Sequence, residues 1–328
     1  MRFLVIGLGS MGKRRIRNLL QLGERDVLGF DLREDRRREA EEKYGVRTFD
    51  RLGEAIRAVP DVWIISVPPA FHLEYALKAL KEDVHFFCET PVADSVMAID
   101  RLIEASCKSR RLAAPSCNMC FHSGVKHINK MMNAGEIGQP LCMLYEVGHF
   151  LPNWHPYEDY RSYYVSGKTF GGGADVIPME LVWILRLLGD VKGVCCRMQR
   201  LGQFEIEAPD TYQLTLEFEN GAIVELHNDV ICRDPCRRCR LIGQEGTIIW
   251  DAVKNWVKLY KASDRRWTEY HERDGYSMEE MYVEEMAHFI KAVRGEEKYL
   301  HSLEEERKIL RVWETAEKSA MERRWVEV

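Results

Sequence analysis

A chain of 328 residues with 46% apolar and 30% charged residues has room for two ordinary domains, and enough apolar sequence to give each a core, so a single small module is excluded. The net charge of -5 argues against a general polyanion binder and an acidic disordered tail, and nucleic acid is set aside as a partner. The opening MRFLVIGLG is too short and too broken by glycine for a membrane span and carries no small-residue cleavage site, which predicts a soluble, cytoplasmic protein with no membrane partner.

The first 120 residues alternate short apolar runs with amphipathic stretches. RFLVIG, DVLGFD, DVWIISV, DVHFFCE and RLAAPSCN read as strands, and the segments between them carry helical spacing. Strand and helix in alternation with short connections predict a doubly wound parallel sheet. A further helix, FHSGVKHINKMMNAGEIG, follows at the end of this half. Beyond about residue 140 the pattern changes to longer alternating strands, from PLCMLYEVGHF to NWVKLYKAS, several joined by turns such as ENG and QEG, which predicts an antiparallel sheet. A glycine-rich loop, SGKTFGGGA, precedes the helix DVIPMELVWILRLLG. Two more helices close the chain, and SLEE at the head of the last one has the serine and glutamate of a capping box.

Ten cysteines include two C-x-x-C pairs, Cys117 with Cys120 and Cys236 with Cys239. The pairs lie more than a hundred residues apart, and PSCNMCFH reads as a strand whose residues three apart point to opposite faces. The expectation is therefore buried thiols in a reducing compartment and no metal site.

GLGSMG follows the first strand directly and opens the first helix. Gly7 suits the tight turn, Gly9 lets backbone approach a pyrophosphate, Gly12 allows close packing, and the amides around Ser10 and Met11 face the anion. Asp31 ends the second strand 19 residues after Gly12, where a carboxylate binds the hydroxyls of an adenosine ribose. It repels a 2'-phosphate, so NAD is favoured over NADP, with Arg33 nearby moderating that preference. In SVPPAFH, Ser66, Pro68 and His72 are expected to line the cofactor groove, His72 without a role in proton transfer. These patterns predict an α/β protein with an N-terminal Rossmann domain over 1–120, a doubly wound parallel sheet binding NAD(P). They place over 121–328 a C-terminal α+β domain with a large, mainly antiparallel sheet, for substrate binding and oligomerisation.

The ordered set GLGSMG, Asp31, SVPPAFH, CETPVADS, CNMCFH and GGGADVIPMELVWILRLLG resembles the glucose-fructose oxidoreductase / inositol dehydrogenase family of two-domain, NAD(P)-dependent sugar dehydrogenases, over essentially the whole chain. The stretch from His149 to Tyr164, with the triple glycine after it, looks most like the branch associated with nucleotide-activated and surface sugars. The resemblance implies that CETP corresponds to a Glu-Lys-Pro segment whose lysine hydrogen-bonds the substrate hydroxyl. Glu89 then lies near the nicotinamide, and Thr90 stands where the lysine would be. It further implies an aspartate at Asp175 and an acid/base histidine four residues on, where this chain has Met179. Asn118 matches an asparagine beside the nicotinamide.

Threonine has no useful acidity and a thioether is only a weak acceptor, so Asp175 is the titrating survivor of the set. Its alternative reading is an N-terminal cap of the helix, with Pro178 in the first turn. The segment HFLPNWHPYEDYRSYY concentrates polar aromatics in a connector. Trp154 and Tyr160 can stack on a sugar, His155 or a tyrosine can replace the missing acid/base, and Arg161 can fork to a phosphate or carboxylate. Lys168 is a further rescue candidate, and packing against another subunit is the alternative for the loop. The expected site is then catalytic Asp175, His155 and Thr90, with Trp154, His155, Tyr160, Arg161, Lys168, Asp175 and Met179 on the substrate.

The expected activity is hydride transfer between NAD(P) and a sugar or nucleotide-activated sugar through an altered proton relay. The alternatives are an NAD(H)-binding protein without redox turnover, acting as sensor, scaffold or inactive paralogue, and a lyase or epimerase using transient oxidation. A broad antiparallel sheet buries one face on helices and needs cover for the other, which predicts a homodimer or homotetramer.

Overall fold

The structure is a computed structural model that describes residues 1–156 and 158–328. The chain divides into two compact units, Met1–Asn118 with Met278–Arg307, and Met119–Ser277 with Lys308–Val328. This differs from a split into 1–120 and 121–328, because the chain returns to the first unit after Ser277.

The first unit is a six-stranded sheet in the order β3-β2-β1-β4-β5-β6. Its strands are β1 (Phe3–Ile6), β2 (Val27–Phe30), β3 (Arg47–Phe49), β4 (Val62–Ile65), β5 (His85–Cys88) and β6 (Ala113–Pro115). Every pairing is parallel, so α1 (Ser10–Gln21), α2 (Glu34–Tyr44), α3 (Leu52–Arg57), α4 (His72–Lys81) and α5 (Val96–Ser106) serve as crossovers. The apolar runs VWII and FLVI are buried along their whole length, as strands covered on both faces must be. Strand β3 escapes the periodicity because only Phe49 of its three residues is buried.

The strand expected through Cys117 and Asn118 stops at Pro115, and Asn118–Phe121 forms a 3-10 turn. The first C-x-x-C pair is therefore not on a strand. Among the described residues, no group of three or more His, Cys, Asp or Glu side chains could hold a metal ion.

The second unit is built on a nine-stranded sheet in the order β14-β13-β12-β11-β7-β10-β9-β8-β15. Its strands are β7 (Pro140–Phe150), β8 (Val191–Gln199), β9 (Thr211–Phe218), β10 (Ile223–Asp229), β11 (Ile231–Gly243), β12 (Gly246–Asp251), β13 (Trp256–Lys261), β14 (Arg266–His271) and β15 (Val326–Glu327). All neighbours are antiparallel except β7 and β10, which run parallel. Met143, Tyr145 and Val147 of β7 are buried, whereas Leu144 stays 46% exposed, so the sheet has one covered and one open face. Sequence patterning missed β14, whose residues are all exposed, and β15, which is two residues long. The helices are α6 (Ser123–Asn133), α7 (Val176–Leu188), α8 (Glu279–Val293) and α9 (Leu303–Glu322), with α8 and the start of α9, as far as Arg307, in the first unit. At the head of α9 the capping box is reciprocal: Ser302 N donates to Glu305 Oε2 at 2.7 Å and Glu305 N to Ser302 Oγ at 3.2 Å. Among the described residues, no helix is long and apolar enough to cross a membrane.

Candidate cofactor and acid/base sites

The first unit carries a turn shaped for a dinucleotide. Gly7 has φ +88°, which a side chain would strain. A Cβ on Gly12 would lie 1.7 Å from the Gly7 carbonyl oxygen, so only glycine lets α1 start this close to β1. At Gly9 an added Cβ would meet no backbone atom, only the Arg36 guanidinium at 3.4 Å and beyond, so this side of the turn is open. Lys13 N is bonded to Gly9 O at 3.0 Å as the first turn of α1 closes, and the amides of Ser10, Met11 and Gly12 precede it at the helix N-terminus.

Asp31 is held at the end of β2 by two backbone donors, Leu8 N to Oδ2 at 2.7 Å and Arg33 N to Oδ1 at 2.8 Å. The Arg33 side chain is turned onto Asp35, with Nη2 2.6 Å from Oδ2. The cation beside Asp31 is instead Arg36, with Nη1 3.9 Å from Oδ2. An open glycine turn, a helix start and an anchored carboxylate fit a dinucleotide: Gly7, Gly9 and the first amides of α1 would hold the pyrophosphate, and Asp31 the adenosine ribose.

Beneath this turn lies a buried ion network. Arg15 of α1 is fully buried and forks onto Glu89, with Nε 2.7 Å from Oε1 and Nη2 2.9 Å from Oε2. Its Nη1 lies 2.8 Å from Oε2 of the buried Glu285 on α8. Glu285 Oε1 accepts from Ser116 Oγ at 2.8 Å and from Cys117 N at 2.6 Å, and burial pushes its pKa up against the pull of Arg15. Ser66 Oγ reaches Glu89 at 3.3 Å. Glu89 thus braces α1 against the end of β5. Neither Arg15 nor Glu285 was a candidate from sequence, because an arginine among arginines on an amphipathic helix reads as solvated.

His72 is 1% exposed, and its Nδ1 and Nε2 each lie 2.7 Å from a carbonyl oxygen, of Pro91 and Val67. Burial lowers its pKa. The His72 ring ties the β4 loop to the β5 loop, and of the three residues expected along the cofactor groove Pro68 is exposed, Ser66 is partly buried and His72 is buried. Asn118 is buried.

The Thr90–Pro91 peptide bond is cis. The Thr90 hydroxyl donates to Glu306 Oε1 at 2.9 Å. That oxygen also accepts from Val92 N at 3.1 Å, and Glu306 Oε2 lies 2.9 Å from Nε2 of the buried His301.

In the second unit, Asp175 immediately precedes α7 without capping it through its side chain. Its Oδ2 instead accepts from the Tyr164 hydroxyl at 2.6 Å, while Oδ1 is buried and has no hydrogen-bond partner among the described residues. Burial raises the Asp175 carboxyl to about 6, with the Tyr164 hydrogen bond and, after it, the backbone amides of Asp175 and Val176 pulling the other way. Tyr164 in turn is pushed well above the ordinary tyrosine range by burial and by Asp175. Met179 is partly buried one helical turn on.

The loop before Asp175 has a small core of its own: Leu151, Val165, Ile206 and Val230 are buried, with Trp154, Tyr160, Tyr163 and Phe204 packed against them. The His155 ring lies against Tyr163 with centroids 4.9 Å apart, and Tyr160 meets Phe204 edge to face. The loop's tyrosine at position 157 lies outside the described residues. Burial and Arg237 push His149 down to about 4. The expected guanidinium fork is already filled, since Arg161 Nη2 lies 2.6 Å from Asp159 Oδ2 and Nε 3.0 Å from each carboxylate oxygen. Lys168 is exposed. Packing therefore engages much of the aromatic loop, and Tyr164 is the member joined to the titrating group.

The GFO/IDH/MocA model described as an oxidoreductase family with an NAD-binding Rossmann fold matches residues 1–115, and the GFO/IDH/MocA C-terminal domain matches 125–249. A myo-inositol 2-dehydrogenase of Thermotoga maritima is 28% identical, over 100% of this chain and 98% of its own. The crystal structure of a probable dehydrogenase from Thermotoga maritima superposes with a TM-score of 0.82 at 27% identity, covering 100% of this chain and 99% of that one. Levoglucosan dehydrogenase in complex with NADH shares the fold at 18% identity, with a TM-score of 0.89 over 100% of this chain and 99% of its own. With both domain models matched in order and the glycine turn, Asp31 and the two sheets in place, the chain belongs to the GFO/IDH/MocA family of NAD-binding oxidoreductases.

Proposed function

We propose that this chain is an NAD-dependent dehydrogenase or reductase of a sugar or cyclic polyol, nucleotide-linked sugars included, with Asp175 as its acid/base group. NAD, when bound, supplies the hydride acceptor or, in reverse, the donor. The observation that carries the reading is the buried Asp175 Oδ1, left without a partner while Tyr164 fixes the other oxygen. A carboxyl raised to about 6 is ionised at neutral pH yet basic enough to exchange a proton with a substrate hydroxyl. Tyr164 holds the carboxyl in one orientation, and the carboxyl takes the acid/base part that Met179, standing in the place of a histidine, cannot play. The relatives support the substrate class, one being named a myo-inositol 2-dehydrogenase and one structure holding levoglucosan with NADH. The open sheet face, with Leu141, Leu144 and Ile223 exposed, supports association with further copies of the chain.

The commitment of the Thr90 proton to Glu306 favours a second reading, an NAD(H)-binding protein without turnover. The two separate in one experiment: NADH or NAD is mixed with polyols, sugars and sugar nucleotides, and the reduced-nicotinamide absorbance is followed. Turnover with any of them, lost in Asp175→Asn, is the expected result. Tight NADH binding with no absorbance change across the panel overturns the enzyme reading in favour of the second.

A further inference from the structure

Thr90 stands at the carboxyl end of β5, the edge at which open parallel sheets receive their ligands. Its hydroxyl has one proton and two lone pairs. The proton is spent on Glu306 Oε1, at 2.9 Å. Glu306 is wholly buried, and its carboxylate offers lone pairs only. Val92 N shares Oε1 at 3.1 Å, and His301, 1% exposed, occupies Oε2 at 2.9 Å. If the Thr90 hydroxyl turned round to donate outward, it would face the buried carboxylate with a lone pair and remove one of its donors. The orientation is therefore fixed from behind. Thr90 is partly exposed, and with its proton on Glu306 only acceptor capacity is left on its hydroxyl.

We propose that Thr90 is a one-way hydrogen-bond acceptor at the ligand edge of the first unit, its polarity set by Glu306 and His301, and that it selects an O–H or N–H donor and rejects a carbonyl or alkoxide oxygen. The inference rests on the NAD-binding reading above. Two ligand groups have this chemistry: the carboxamide NH2 of nicotinamide and a hydroxyl of a polyol or sugar. In either case the oxygen that becomes a carbonyl on oxidation is served by another residue. Glu306 and His301 act through Thr90 and are positioning residues.

The test is equilibrium binding to the full chain, read by nicotinamide fluorescence, so it needs no turnover. The probes are NADH, its reduced 3-acetylpyridine analogue, which replaces the amide NH2 by methyl, and myo-inositol added to the NADH complex. If the carboxamide is the donor, wild type prefers NADH to the analogue about tenfold, the worth of one hydrogen bond of about 1.4 kcal/mol. Thr90→Val then equalises the two and Thr90→Ser restores the preference. If a polyol hydroxyl is the donor, Thr90→Val leaves NADH affinity unchanged and weakens myo-inositol about tenfold, again restored by serine. Thr90→Ala replaces the valine variant if that one fails to fold. A folded Thr90→Val or Thr90→Ala protein that matches wild type on both dinucleotides, and on myo-inositol or its failure to bind, overturns the proposal. Failure of wild type to bind NADH at all overturns the NAD reading and the proposal with it.

Discussion

Gly9→Ala separates cofactor binding from folding. Gly9 caps α1 with φ -71° and ψ -160°, a backbone conformation open to any residue. The added methyl meets only the flexible Arg36 guanidinium, at 3.4 Å for Nη1 and 3.7 Å for Cζ. The unfolded chain loses freedom worth about 0.4–1 kcal/mol, and alanine, a poorer N-cap than glycine, costs a comparable amount in return, so the melting temperature should hold. The methyl fills the open side of the turn, where a pyrophosphate must come within hydrogen-bond distance of backbone amides. Losing one charge-assisted hydrogen bond costs about 1.5–3 kcal/mol, which weakens NADH binding roughly tenfold to a hundredfold. Fluorescence titration with NADH and a thermal melt on the same sample measure both quantities. Gly12→Ala is the contrast, because its methyl would sit 1.7 Å from Gly7 O and disturb the fold itself. Unchanged NADH affinity in Gly9→Ala, or a melting loss matching that of Gly12→Ala, refutes this account of the turn.

Two further outcomes follow from the buried groups. Arg15→Met leaves Glu89 and Glu285 without their shared cation and should cost about 3–5 kcal/mol, seen as a large fall in melting temperature at neutral pH. A melt within a degree or two of wild type would show that the network carries no stability. Tyr164→Phe removes the hydrogen bond that lowers the Asp175 pKa, so the carboxyl rises above about 6. Since the ionised form is the base, oxidation rates that rise with pH through about 6 in wild type should rise at higher pH in the variant; an unmoved limb would remove Tyr164 from the relay.

What the sequence made legible was what local pattern determines. The glycines of GLGSMG, the carboxylate ending β2 and the reciprocal capping box at Ser302 all depend on residues a few positions apart or on one strand-turn-helix unit. The antiparallel rhythm of the second half likewise follows from alternation, apart from the all-exposed β14 and the two-residue β15. What stayed hidden depends on contacts distant in sequence. Thr90 looked like a stranded hydroxyl because its partner Glu306 is 216 positions away. The ion pairs of Glu89 were hidden because Arg15 and Glu285 have no local signature. Asp175 read as a titrating group or a helix cap, and no periodicity tells that Tyr164, eleven residues earlier and across a triple glycine, donates to its carboxylate. The return of Met278–Arg307 to the first unit was invisible for the same reason, since α8 is an ordinary amphipathic helix when read alone.

The two margins of the nine-stranded sheet are protected by different means. At one margin β14 presents exposed charged side chains, Arg266 and Glu269, which discourage pairing with a foreign strand. At the other, Val326 and Glu327 pair with β8 at Val194 and Gly193, and Trp325 lies so close to Gly193 that any larger residue there would collide with its ring. Shortening the chain by its last four residues would therefore strip the β8 margin and leave its unpaired amides and carbonyls beside an emptied tryptophan socket. Such a protein would keep its cofactor turn intact while acquiring a template for strand addition, so its shelf life in solution, more than its chemistry, would record the change.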